Sequence, residues 1–243
     1  RRFLIRGRWR EMEITLHSTE RGGGFPMVLL HGNGEDGRYF APQLEYFSKR
    51  YRVIAVDTRG HGESPRGDAP FTLEQFAEDL KAFLDEKGIA RTILLGFSDG
   101  ANIALLFTLR YPAYVEALIL NGGNLSPAGV KPAVQLPICL GYGAAGLCAP
   151  FSRKARAKKE LLGLMVRQPH IAPAALSGLR CPVLVIAGDH DMIRDAHTRL
   201  IHASIPGAAL SILPGDHFIA NRNSAAFCQA VEAFLHTCER REP

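Results

Sequence analysis

The stretch Leu94 to Leu105, LLGFSDGANIAL, constrains this chain more than any other. An apolar, strand-like run reaches Phe97 and a helix-like pattern begins at Asp99, with no turn residues between them. Only a very tight strand-to-helix corner can join the two, and the residue at that corner is Ser98. Gly96 and Gly100 flank it. Glycine suits both places because a backbone that turns this sharply leaves no room for a side chain. A serine held there points out of the end of the sheet. It also sits at a helix N-terminus, whose free N–H groups and dipole favour negative charge. Gly-x-Ser-x-Gly after a strand and before a helix is the pattern of a nucleophile elbow. A serine that only caps a helix would use the same letters, so the pattern needs partners.

The rest of the chain repeats the strand–helix alternation. Short apolar runs at 27–30 (MVLL), 52–56 (RVIAV), 92–95 (TILL), 117–120 (ALIL), 183–187 (VLVIA) and 210–213 (LSIL) suit strands buried on both faces of a parallel sheet. Between them, 72–87 reads as a helix. Thr72 and Gln75 form a capping box, Leu73, Phe76, Ala77, Leu80, Phe83 and Leu84 share one face, and Gly88 ends it. The segment EMEITLH, 11–17, alternates Met12, Ile14 and Leu16 as a half-exposed edge strand would. The expected fold class is α/β, a doubly wound and mostly parallel sheet.

One region breaks this rhythm. From about Asn121 to Ala175 there is no strand signal, and a run of 19 uncharged residues at 133–151 is followed by the basic SRKARAKKE. A membrane span could be read from its length, but the prolines and glycines inside it argue against one. A small helical cap over the sheet edge is expected at about 121–175, with the basic run as a solvated helix face. A single domain is expected over 11–243, preceded by a basic extension at 1–10. That extension, RRFLIRGRWR, carries five arginines and no acid, and the remaining 24 basic residues balance the 24 acidic ones. The net charge of +5 is therefore local, and nucleic acid is not expected as a partner, nor is a membrane. Five scattered cysteines without Cys-x-x-Cys spacing suit a reducing, cytoplasmic setting.

A serine hydroxyl becomes a useful nucleophile only when a base takes its proton, and the base needs an acid to orient it. Downstream of Ser98, the strand-like VLVIA runs into a polar loop with Asp189 and Asp191. The strand-like LSIL then runs into a loop carrying His217. Both loops fall at strand C-termini, where open α/β sheets bind ligands. Either aspartate could serve as the acid by position alone.

Taken together, HGNG at 31–34, DTRGHGES at 57–64, GFSDG at 96–100, PVLVIAGDHD at 182–191 and GDHF at 215–218 resemble the α/β-hydrolase family, from about Glu13 to Glu239. The resemblance implies a catalytic triad of Ser98, Asp191 and His217, with Asp189 shaping the loop and Asp216 on the surface. It implies an oxyanion hole made by the backbone N–H groups of Asn33 and Asp99. His31, Asp57, Arg59, His61 and Ser64 are implied to pack loops rather than do chemistry. The resemblance extends more weakly to the biphenyl-hydrolase-like branch, with its amino-acid ester hydrolases, in which the aspartate after the nucleophile contacts a substrate ammonium group. Asp99 matches that position, and an acid there also suits a helix N-terminus on dipole grounds alone. The implied activity is a serine hydrolase that cleaves a small-to-medium carboxylic ester through an acyl-enzyme. Carbon–carbon bond hydrolysis of ring-cleavage products and non-catalytic ligand binding on the same fold are the alternatives. The expected partner is a small-molecule substrate. No metal or cofactor is expected, and no His-x-x-x-His occurs.

Overall fold

The computed structural model describes residues 2–5, 8–11 and 13–239. Of the basic N-terminal stretch, β1 (Arg2–Ile5) and β2 (Arg8–Glu11) form their own antiparallel pair, with Leu4 opposite Trp9. Arg1, Arg6, Gly7 and Met12 lie outside the described residues.

Seven strands make the central sheet: β3 (Ser18–Arg21), β4 (Pro26–Leu30), β5 (Arg52–Val56), β6 (Thr92–Phe97), β7 (Val115–Asn121), β8 (Val183–Gly188) and β9 (Ala209–Leu213). Their spatial order is β3-β5-β4-β6-β7-β8-β9, with β3 antiparallel and every other pair parallel. The chain reverses its direction of travel across the sheet between β4 and β6, so the loops after these two neighbours part to opposite sides. That is the switch point where such sheets bind ligands.

The two-faced burial of the apolar runs sets the layers. Val28, Leu30, Ile54, Val56 and Leu94 face α2 (Leu73–Glu86) and α3 (Asp99–Arg110). Met27, Leu29, Val53, Ala55, Ile93 and Leu95 face the other way. There they meet Leu44 and Phe47 of α1 (Ala41–Phe47), and Phe227, Val231 and Leu235 of the C-terminal helix 224–239. Each fully buried Leu, Ile or Phe contributes about 1.5–3 kcal/mol, so neither layer tolerates a polar side chain cheaply. In α2 the six expected apolar residues are its buried face, and Gly88 follows it at φ +66°. The Thr72 hydroxyl accepts from Gln75 N. The Gln75 amide, however, turns to Asp79 rather than back to Thr72, so the box is half made.

The expected edge strand at 11–17 is displaced. The edge strand is β3, which begins at Ser18, opposite Val56 at the end of β5. At His17 the chain runs out of strand to pair with and is taken over by the loop after β5. Asp57 N donates to His17 O, and His17 N donates to Ser64 Oγ. Alternation in sequence gave the right face for Leu16, which is buried, but not the right hydrogen-bond partners.

Between β7 and β8 lies the expected cap. It is a hairpin of α4 (Pro132–Cys148) and α5 (Arg153–Arg167), followed by a 3-10 turn at Pro173–Gly178. Of the hairpin, α5 alone reaches the main core, through Leu164, and Leu176 of the turn joins it there. The remaining helices, α6 (Asp195–Ser204), α7 (Ile219–Arg222) and α8 (Ser224–Glu239), follow β8 and β9. No helix among the described residues is long and apolar enough to cross a membrane.

Candidate active site

Ser98 takes φ +53° and ψ −119°, and no other described non-glycine residue has a positive φ. That conformation costs about 1–3 kcal/mol and persists only when its surroundings enforce it. Here Ser98 N donates to Asn121 O of β7 at 2.8 Å, while Ser98 O accepts from Ala101 and Asn102 of α3. A Cβ on Gly96 would overlap the backbone of Gly100, and one on Gly100 would overlap the backbone of Leu30. Both glycines are therefore needed for the corner to close against β4.

The loops after β8 and β9 converge on the serine. His217 Nε2 lies 3.0 Å from Ser98 Oγ, and His217 Nδ1 lies 2.7 Å from Asp191 Oδ1. Both His217 and Asp191 are buried. This geometry suits a neutral imidazole whose Nδ1–H donates to Asp191 and whose Nε2 accepts from the serine hydroxyl. Asp191 Oδ1 also accepts from Ile193 N, which fixes the carboxylate. Asp189, two residues earlier, is exposed and accepts from Gly215 N and His190, tying the two loops together without reaching His217. Asp216 accepts from Phe218 N and pairs with Arg222 at the surface. The ring of Phe97 packs 4.8 Å from that of His217 and limits where the imidazole can swing.

Asn33 sits in the turn after β4, beside the elbow. The structure gives its side chain a part that the motif does not announce. Its amide donates to Asp99 Oδ2 and to Leu161 O of α5, both at 2.9 Å. One side chain thus links the elbow to the cap. Asp99 is the first residue of α3, where helix N–H groups lack intrahelical acceptors. Its carboxyl is buried and its pKa raised by that burial, offset by the amides of Asn33 and Asn102. No described lysine or arginine pairs with it.

His31 donates from Nδ1 to Gly32 O and accepts from Thr58 N, and burial depresses its pKa to about 4. It is held neutral as a brace. Asp57 gathers N–H groups from Gly37 and Glu63, with His17 beside it. Arg59 is buried on Asp79 and Glu13, the His61 ring accepts from Gly34 N, and Ser64 donates to Asp57 O. These five build the loop under the site.

Sequence reasoning passes over Glu35. Burial pushes its carboxyl up to about 7, and it accepts weakly from Gly32 N, next to the expected oxyanion donor. The one signal for it is an acid closing the HGNGE turn. A narrow cavity of about 10 Å³, room for roughly one water molecule, opens at Ser98 and is lined by Asp99, Asn124, Val130, Met165, Gln168, Met192 and Ile193.

A family model described as alpha/beta hydrolase fold matches residues 26–147, half of the chain. Among curated relatives, a human protein named serine hydrolase BPHL is 28% identical, over 91% of this chain and 83% of its own. An (E)-2-((N-methylformamido)methylene)succinate hydrolase of Acinetobacter baylyi is 26% identical, over 92% and 95%. A solved hydrolase from Pseudomonas aeruginosa superposes with TM-score 0.74 at 26% identity, covering 91% of this chain and 94% of that one. Similarity to the human relative supports the biphenyl-hydrolase-like branch. With the sheet order, the elbow and the matched family model in agreement, the chain belongs to the alpha/beta hydrolase family.

Proposed function

We propose that this hydrolase cleaves small-to-medium carboxylic esters through an acyl-enzyme on Ser98. The observation that carries the reading is the unbroken row Ser98 Oγ, His217, Asp191, aimed from a strained corner into the cavity beneath the cap. His217 Nε2 takes the hydroxyl proton as Oγ attacks the ester carbonyl. The N–H groups of Asn33 and Asp99 receive the oxyanion. His217 then returns the proton to the departing alkoxide, leaving an acyl group on Oγ. Water, deprotonated by the same nitrogen, attacks the acyl carbon and releases the acid and free serine. Asp191 holds the imidazole in the tautomer that keeps Nε2 open to accept.

The cavity is narrow, so substrate entry requires the cap side of its wall to give, and Met165 and Met192 make that part of the wall adaptable and apolar. Asp99 refines the substrate class. It is a buried carboxyl on the cavity wall with amide partners and, among the described residues, no lysine or arginine paired with it, so the ammonium group of an amino-acid ester would supply the charge it lacks. Two measurements test these readings. A fluorophosphonate probe should label wild-type protein on Ser98, and no labelling would return the fold to ligand binding. A panel of p-nitrophenyl esters should be turned over faster than a ring-cleavage dienone, and the reverse order would favour carbon–carbon bond hydrolysis.

A further inference from the structure

We propose that the tip of the α4–α5 hairpin is a docking surface for an anionic lipid bilayer. A helix that is apolar all round is normally buried. α4 carries no charged residue across its 17 positions, yet Ala145 is its only buried side chain. Its outer stripe holds Leu136, Leu140 and Leu147, which are 62%, 67% and 80% exposed, and Phe151 just beyond it is 90% exposed. At 100° per residue the three leucines fall within one narrow arc, and Phe151 follows in the turn past the helix end. They are also four of the six large exposed apolar side chains among the described residues.

The second observation is charge. Arg153, Lys154, Arg156 and Lys158, all exposed, follow Phe151 directly, and none of them pairs with a carboxylate among the described residues. No acidic residue occurs between Glu116 and Glu160. Three of these cations lie in the first turn or so of α5, where the helix dipole is already positive. Cations there oppose helix formation, just as exposed leucines oppose solubility. Two local rules are broken at one place, and the Ser152 cap on Ala155 N offsets only part of the cost. An apolar crown inside a basic collar matches the boundary between acyl chains and anionic headgroups.

A second copy of the chain fits less well. Pairing the apolar stripes would bring two basic collars together, whereas a phosphate-rich surface neutralises them. The sequence alone reads the basic run as a solvated helix face; the outward apolar stripe beside it gives that run an occupant. Docking would also set the site's roof at the lipid surface, because α5 carries Leu161 and Met165.

Co-sedimentation with phosphatidylcholine vesicles, with and without about 30 mol% phosphatidylglycerol, tests the proposal. The full chain should bind the anionic vesicles roughly tenfold or more tightly than the neutral ones, and added salt should weaken binding. Leu147→Asp with Phe151→Asp should cost about tenfold or more, as should the triple reversal Arg153→Glu, Lys154→Glu, Arg156→Glu. Thermal melts should show both variants folded, the apolar pair close to wild type because its side chains are exposed and the charge reversal at least as stable because acids suit a helix N-terminus. Equal binding to both vesicle types, or variants that bind as wild type does, would overturn it. So would a concentration-dependent dimer in sedimentation velocity that Leu147→Asp with Phe151→Asp abolishes while vesicle binding stays absent.

Discussion

The floor of the site and its roof are built by opposite means. The floor is the carboxyl edge of the sheet, where Ser98, Asp191 and His217 hang from three parallel strands and every backbone turn is pinned by a neighbour. The roof is the cap hairpin, where α4 rests on α5 and α5 is held by Leu164 in the core and by a few polar contacts. Those ties are Asn33 to Leu161, Arg66 to Glu160, and Leu73 N to Gln168. A floor held this rigidly can store strain at a nucleophile. A roof held this lightly can vary what enters without disturbing the chemistry. Floor substitutions should therefore remove turnover, and roof substitutions should alter selection.

The sharpest way to break that contrast is at the serine. Ser98→Ala, or His217→Ala, should lower kcat on a p-nitrophenyl ester roughly 10⁴-fold or more with the fold intact by circular dichroism. Substantial residual ester cleavage by either variant would remove the floor from the chemistry.

Next in size is the choice of acid. Asp191→Asn should cost on the order of 10³–10⁴-fold in kcat, because the amide no longer holds His217 in the accepting tautomer. Asp189→Asn should cost only a few-fold, through the Gly215 loop contact. A reversed order of the two rates would move the acid two residues earlier.

Asp99 lies where floor meets roof. Free amino-acid esters should be preferred over their N-acetylated forms by roughly 10- to 150-fold, equivalent to about 1.5–3 kcal/mol. Asp99→Asn should erase that preference and keep p-nitrophenyl acetate cleavage, since the proposed oxyanion donor is a backbone group. Equal rates on both ester types in wild type would leave Asp99 as a helix-start acid only.

Asn33→Ala severs the elbow from the cap while leaving the backbone donor in place. We expect a KM increase of roughly tenfold with a smaller loss of kcat. A large kcat loss at unchanged KM would place Asn33 wholly in the floor.

The smallest effect concerns Glu35 and is one of stability. Its native carboxyl titrates near 7 because burial penalises the charge, whereas an unfolded glutamate titrates at roughly 4.3. Between those values the native state holds more protons than the unfolded one, so stability falls as pH rises toward 7. Glu35→Gln removes the buried charge. Its melting temperature should exceed wild type by more at pH 8 than at pH 5, and an equal difference at both would show that Glu35 is solvated.

The sequence by itself determined the alternation of buried strands and helices, the face of α2, the corner at Ser98 and the strand ends that carry Asp191 and His217. Those are local matters. Periodicity, glycine spacing and the order of strand-ending loops are written along the chain, and each element buries its apolar face in the only way that pattern allows. Placing β3 at 18–21 rather than 11–17 required knowing where β5 stops, because a strand exists only opposite a partner. The link from Asn33 to Asp99 and Leu161 joins residues 66 and 128 positions apart. The raised pKa of Glu35 depends on what covers it, and the outward stripe of α4 depends on what does not. Sequence states which side chains are apolar or charged; burial, and with it the energy of each, belongs to the packing of distant segments.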